Sequence, residues 1–167
     1  MRIFRQSLTI LMLSTLLVGQ SNVGTTAAAF LDIGIGARSL SMGGAFTAVA
    51  NDVTALYWNP AGITHISRPS THFYYAPWFA DIDFTHGAAV VPMGRMGTIG
   101  IAITSVTMEE MPVRTLQDPE GTGELFEVSN LALATTYAKK LTDRFSFGLN
   151  LKFVQEKIWH MNANIIA

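Results

Sequence analysis

From about residue 70 onward, apolar and polar side chains alternate with a period of two. The run FSFGLNLKF sets Phe145, Phe147, Leu149, Leu151 and Phe153 against Ser146, Gly148, Asn150 and Lys152. In an extended chain this puts the apolar set on one face of a strand and the polar set on the other. TIGIAIT at Thr98–Thr104 alternates Ile99, Ile101 and Ile103 with small residues, and LALATTYA at Leu131–Ala138 does the same with Leu131, Leu133 and Tyr137. Thr71–Ala76 and Ile82–Val91 are less regular, but their β-branched and aromatic content is that of strands. The expectation is an all-β, antiparallel architecture of about five strands.

The connections alternate in character. PMGRMG and KKLTDR are short links, PWFAD is short to moderate, and Glu109–Glu127 is long, polar and rich in Pro and Gly. Tight turns on one side and longer loops on the other describe a transmembrane β-barrel meander. The nine residues of Phe145–Phe153 match the ~9–11 that a tilted membrane strand needs. Tyr137, Phe145, Phe153 and Trp159 stand near strand ends, where an aromatic girdle would lie. The alternative, a secreted soluble β-sandwich binding module, shows the same alternation, because any half-buried antiparallel sheet does. It differs in requiring the apolar rows of Phe145–Phe153 and Ile99–Ile103 to pack against each other. The other face carries Gly, Ala, Ser, Thr and Asn with an occasional Lys, which suits a crowded lumen better than a solvent-washed surface rich in Glu and Lys.

Residues 30–67 follow different rules. They are rich in Gly, Ala and Ser, and their apolar positions keep no sustained period. Asp52 reads as an N-cap for a short helical stretch VTALYW, and Asn59 as a cap for the turn that follows. Pro60 suits a first helical position, where its missing N–H would be unpaired anyway. It also pushes Asn59 toward extended backbone. LYWNPAG at Leu56–Gly62 thus reads as rigid punctuation between two short helical pieces, and the paired Gly43 and Gly44 as tight bends.

Ahead of this segment, Arg2 and Arg5 precede the apolar run Leu8–Val18 and an Ala-x-Ala site ending at Ala29. This is the composition of a secretory signal peptide over residues 1–29. The apolar run is too short for a spanning helix, which takes ~18 or more such residues. Export leaves strands as the means of residing in a membrane.

Composition narrows the chemistry. Lys and Arg number 11 against 12 Asp and Glu, with no block of either sign, so nucleic acid is not an expected partner. Cysteine is absent, which removes disulfides, thiolate metal sites, a Cys nucleophile and a lipidated Cys. The Gly-rich GIGARSLSMGG at Gly34–Gly44 lacks the third glycine of a dinucleotide fingerprint, which Ser39 replaces, and no βαβ pattern surrounds it. His65, His72, His86 and His160 have no metal-ligand spacing. Asp81 with Asp83, and Glu109 with Glu110, read as loop charges and not as catalytic pairs. No catalytic, metal or cofactor site is expected.

The stretch IGIGARSLSMGGAFTAVANDVTALYWNPAGI (Ile33–Ile63) resembles the N-terminal signature of the PorV/PorQ family, relatives of the FadL-type outer-membrane transporters for hydrophobic compounds. Gly-Ala-Arg, Met-Gly-Gly-Ala, Ala-Asn-Asp and Trp-Asn-Pro-Ala-Gly occur in that order, and Tyr137–Phe153 is similar to a family hairpin on the periplasmic side. The resemblance implies a barrel in the outer membrane of a Gram-negative-type envelope, with residues 30–67 folded inside as a short-helix and loop hatch and residues 68–167 in the wall. The hatch motif would comprise Gly43, Gly44, Asp52, Trp58, Asn59, Pro60, Ala61 and Gly62. Outer-membrane lipid would be one partner, and hydrophobic small molecules or components of type IX secretion the others. Five strands fall short of the ~8 of the smallest single-chain barrels. The expectation is therefore the N-terminal part of a longer, truncated barrel.

Overall fold

A computed structural model of the chain describes residues 28–79, 81–159 and 161–166. The signal-peptide reading of residues 1–29 lies outside these, save for Ala28 and Ala29, as does His160. Six strands form a single antiparallel sheet in the order of the chain: β1 (Ser70–Pro77), β2 (Ile82–Pro92), β3 (Thr98–Pro112), β4 (Leu125–Lys140), β5 (Ser146–Ile158) and β6 (Met161–Ile166). The sheet is open, with β1 and β6 as its edges among the described residues. The all-β antiparallel reading thus holds, while a closed barrel is not formed by these strands.

Two differences from the sequence reading have physical causes. The sixth strand escapes the pattern because β5 turns into β6 at Trp159, without Gly or Asn to mark the bend. Ile158 pairs with Met161, and Trp159 takes the left-handed φ of 52° that such a turn demands. β3 and β4 are also longer than their alternating cores. Glu109 and Glu110 belong to β3 and are not loop charges, and only residues 113–124 lie between the two strands. Past Ser105 the outward positions turn polar (Thr107 on β3, Ser129 and Glu127 on β4) and the apolar ones (Val106, Met108, Val128) fall on the inward face, so the alternation changes phase while the hydrogen-bonded ladder continues. A register shift between Met108 and Met111 bends this extension.

The strands divide the sheet into unlike faces. One carries Phe73, Ile99, Ile101, Ile103, Leu133, Leu149, Leu151 and Phe153, all exposed. Register aligns them into rows: Phe73 with Gly87, Ile103, Leu133 and Phe153, then Ala89 with Ile101, Thr135 and Leu151. The two apolar rows that a sandwich would stack on each other therefore lie side by side on one surface. Phe73 is 73%, Leu151 64% and Ile101 58% exposed. The opposite face carries the small and polar set, including Ala88, Thr98, Gly100, Thr104, Ala132, Thr136 and Gly148, and the chain before β1 is packed on it.

That N-terminal segment consists of a 3-10 turn (Ala29–Asp32), helix α1 (Ala37–Ser41), helix α2 (Ala55–Trp58) and a second 3-10 turn (Pro60–His65). The core lies between it and the sheet in two clusters. Phe46, Val53, Leu56 and Ile63 meet Ala88, Val90 and Ala138 in one, and Phe30 and Ile35 meet Phe84, Val106, Ala132 and Val154 in the other. Burial against small sheet residues is what holds helices of four and five residues, far too short to persist alone. Among the described residues no helix is long and apolar enough to cross a membrane.

Candidate functional site

Of the residues singled out in the sequence, Pro60 and Ala61 abut the sheet at Gly148; Gly44, Asp52, Trp58, Asn59 and Gly62 make contacts within the N-terminal segment; and Gly43 is exposed with no neighbour where its Cβ would stand. Asn59 has φ −157° and ψ 98°, extended backbone at the junction of α2 with the following 3-10 turn. Its side-chain oxygen accepts from the Ala61 N–H at 3.2 Å, and its amide donates to the Thr47 carbonyl at 3.0 Å. One side chain thus caps the turn and ties it to the preceding loop. Pro60 occupies the first position of the turn, where it offers no unpaired donor.

Asp52 sits one turn earlier. Its carboxylate accepts from both the N–H and the hydroxyl of Thr54, at 2.9 and 2.5 Å, and so opens the approach to α2. The other oxygen lies 3.5 Å from the Arg38 guanidinium, which also donates to Asn51 at 2.8 Å and covers the Phe46 ring. Trp58 is held edge-on by Phe46 and Tyr57, and its indole N–H donates to the Ile35 carbonyl at 3.0 Å. Gly43 and Gly44 take φ of 63° and 79°, the left-handed region that glycine enters without a Cβ penalty. A side chain at Gly44 would begin 3.5 Å from the Trp58 ring.

Close packing depends on three other glycines, Gly62 within the N-terminal segment and Gly100 and Gly148 on the sheet. A Cβ at Gly62 would lie 2.2 Å from the Ala50 carbonyl oxygen. On β5, a Cβ at Gly148 would lie 2.5 Å from the Ala61 nitrogen and 2.6 Å from the Pro60 carbonyl carbon. On β3, one at Gly100 would lie 2.2 Å from Leu56 Cδ2. The Asn-Pro-Ala-Gly turn is therefore seated in a notch that only glycine leaves open. Sequence reading identified the turn but not its seat, since nothing in the local context of Gly100 or Gly148 marks what approaches them.

Polar contacts complete the seat. The Asn150 amide donates to the Leu56 carbonyl at 3.0 Å, and the hydroxyls of Thr64 and Ser146 are 3.1 Å apart. The Tyr57 hydroxyl donates to the Leu31 carbonyl at 2.7 Å, and the Ala28 N–H reaches Glu156 at 2.9 Å. Burial, and after it the Asp32 carboxylate, holds the Tyr57 phenol above its ordinary value.

The remaining titratable candidates do not assemble into chemistry. His72 and His86 are neighbours on the covered face, with ring centroids 6.1 Å apart, and His86 Nδ1 contacts the Thr104 hydroxyl at 2.9 Å. Asp83 accepts from the Tyr75 hydroxyl at 2.6 Å. Among the described residues no group of three or more metal-ligating side chains comes together.

No curated protein and no solved structure matches the chain. Residues 15–158 match the uncharacterised protein family UPF0164. That span takes in the N-terminal segment and β1 to β5, and the chain belongs to this family.

Proposed function

We propose that this chain is an outer-membrane protein of FadL-like type, in which the six strands are part of a barrel wall and the N-terminal segment is a hatch inside it. Its role is the passage of hydrophobic solutes or the support of type IX protein secretion. The observation that carries the reading is the polarity of the sheet. Its apolar rows face outward and stay uncovered, while its small-residue face is occupied by non-strand chain. A water-soluble protein hides the first kind of surface. Irregular backbone at membrane depth is tolerated only when protein or lumen water surrounds it, as the hatch arrangement provides. The resemblance of Ile33–Ile63 to the PorV/PorQ signature, and the export composition of residues 1–29, support the same reading.

Outer-membrane lipid is the partner of the outward rows in this reading. Hydrophobic molecules or secretion components are partners of the inner side, and no enzymatic step is assigned. The test is fractionation of the expressed protein, followed by gel migration with and without heating. Recovery in outer-membrane fractions with heat-modifiable migration supports the proposal, and recovery as a soluble periplasmic monomer rejects it.

A further inference from the structure

Folding sorts charges that the sequence interleaves. The sheet's short-turn end, where β2 meets β3 and β4 meets β5, bears Arg68, Arg95, Lys139, Lys140 and Arg144. The acids at this end are Asp143, in an exposed contact of 3.8 Å with Lys140, and Asp52, already engaged by Arg38. The opposite end bears Asp81, Asp83, Glu109, Glu110, Glu124 and Glu127, with Asp118 and Glu120 in the loop between β3 and β4. Its bases are Arg114 and Lys157, and Lys157 is paired with Glu127. A chain of nearly zero net charge is therefore strongly polarised along its strands.

The basic end has a second property. Each of its turns sets a base beside a large exposed apolar side chain: Arg95 beside Met96, Lys140 beside Leu141, Arg144 beside Phe145. Tyr137 on the outward face donates its hydroxyl to the Met96 carbonyl at 2.7 Å, so the first turn is fastened directly to the apolar rows. Apolar residues level with an acyl boundary and cations level with its phosphates are what a membrane interface selects.

We propose that this short-turn rim is a docking surface for the phosphate headgroups of anionic lipid. Arg95, Lys139, Lys140 and Arg144 meet the phosphates, while Met96, Leu141 and Phe145 enter the acyl boundary beneath them. The inference rests on the membrane reading above and adds to it a lipid preference and the end of the molecule that carries it. Bulk charge predicts the opposite, since a net charge of −1 gives the chain no attraction to an anionic surface.

The test refolds the full chain from urea into phosphatidylcholine vesicles, and into vesicles with about 30 mol% phosphatidylglycerol, and measures the lipid concentration for half-maximal flotation. The wild type is expected to prefer the anionic vesicles, and to lose that preference at about 1 M salt, where screening shortens to ~3 Å. Each of Arg95→Gln, Lys139→Gln, Lys140→Gln and Arg144→Gln is expected to reduce the preference by about fivefold at low salt. The combined variant should still float on neutral vesicles. Arg114→Gln, the same charge change at the other end, should leave the preference unchanged. Flotation on both vesicle types with no anionic preference, or a preference that survives the combined variant, overturns the rim assignment and leaves the membrane reading standing. Failure to float on either removes both.

Discussion

Gly148 and Gly100 open the same seat but meet it with different atoms, and this sets the cost of filling each. A methyl at Gly148 strikes the backbone of Pro60 and Ala61, which Asn59 and Gly62 already hold in place. A methyl at Gly100 strikes the Leu56 side chain, which is buried but has rotamers to explore. Gly148→Ala is expected to destabilise the protein by about 2–3 kcal/mol and Gly100→Ala by about 1–2, in line with overpacked cores. Urea unfolding, with proteolysis in residues 30–67 as a second readout, checks the order. Adding Leu56→Ala should recover part of the loss at Gly100 and none at Gly148, a coupling that a double-mutant cycle resolves.

Tyr57 supplies a pH test of the same contact. Its raised pKa means that the folded protein favours the neutral phenol, the form that donates to Leu31. The stability this provides is complete below the ordinary tyrosine value of about 10 and is lost as pH rises through the higher folded value. Phenolate absorbance during alkaline titration should show a late-ionising tyrosine in the wild type, missing from Tyr57→Phe. The comparison is made in a Tyr75→Phe background, because the Tyr75 phenol is itself hydrogen-bonded to Asp83; a late component that survives Tyr57→Phe in that background shows the assignment to Tyr57 to be wrong.

Among the elements, the hairpin of β3 and β4 and the N-terminal segment tolerate change differently. Residues 113–124 project beyond the ladder, and Leu116 is 98% exposed. A short epitope inserted between Leu116 and Gln117 should change stability by no more than about 0.5 kcal/mol. The same insertion between Asn59 and Pro60 should release residues 30–67 to protease. Strands were legible in the sequence only where the two faces differ in polarity. Thr98–Thr104 and Leu131–Ala138 stand out because Ile and Leu oppose Gly, Ala and Thr across the sheet. Toward the ends of β3 and β4 the outward side turns polar at Thr107 and Ser129 while Val106, Met108 and Val128 stand on the inward side, so the period of two changes phase and these stretches were hidden. The cap at Asn59 was legible because it acts on the next two residues, whereas the fit of Pro60 and Ala61 to Gly148 is between residues far apart in sequence.

For the molecule as a whole, the same Leu-to-Lys change separates two environments. Leu151 lies at 64% exposure on β5, in the outward row that runs through Ile101 and Thr135. Against lipid, Leu151→Lys should cost about 2–4 kcal/mol. Against water, a surface change of this kind stays within about 0.5 kcal/mol. Unfolding by denaturant from vesicles measures which applies, and a cost near zero would count against the outer-membrane assignment. The charge polarity was not legible in the sequence, because every hairpin visits both ends and so mixes acids and bases along the chain.

The meander joins each strand to its predecessor, whereas the Asn-Pro turn rests on β4 and β5. The part of this chain that leaves the ribosome ahead of the strands is consequently without its complete seat until the fourth and fifth strands have been made. During biogenesis, Leu56 can meet Val90 of β2 and Gly100 of β3 as soon as those strands exist, so residues 30–67 dock in stages and Pro60 and Ala61 are the last to be fixed.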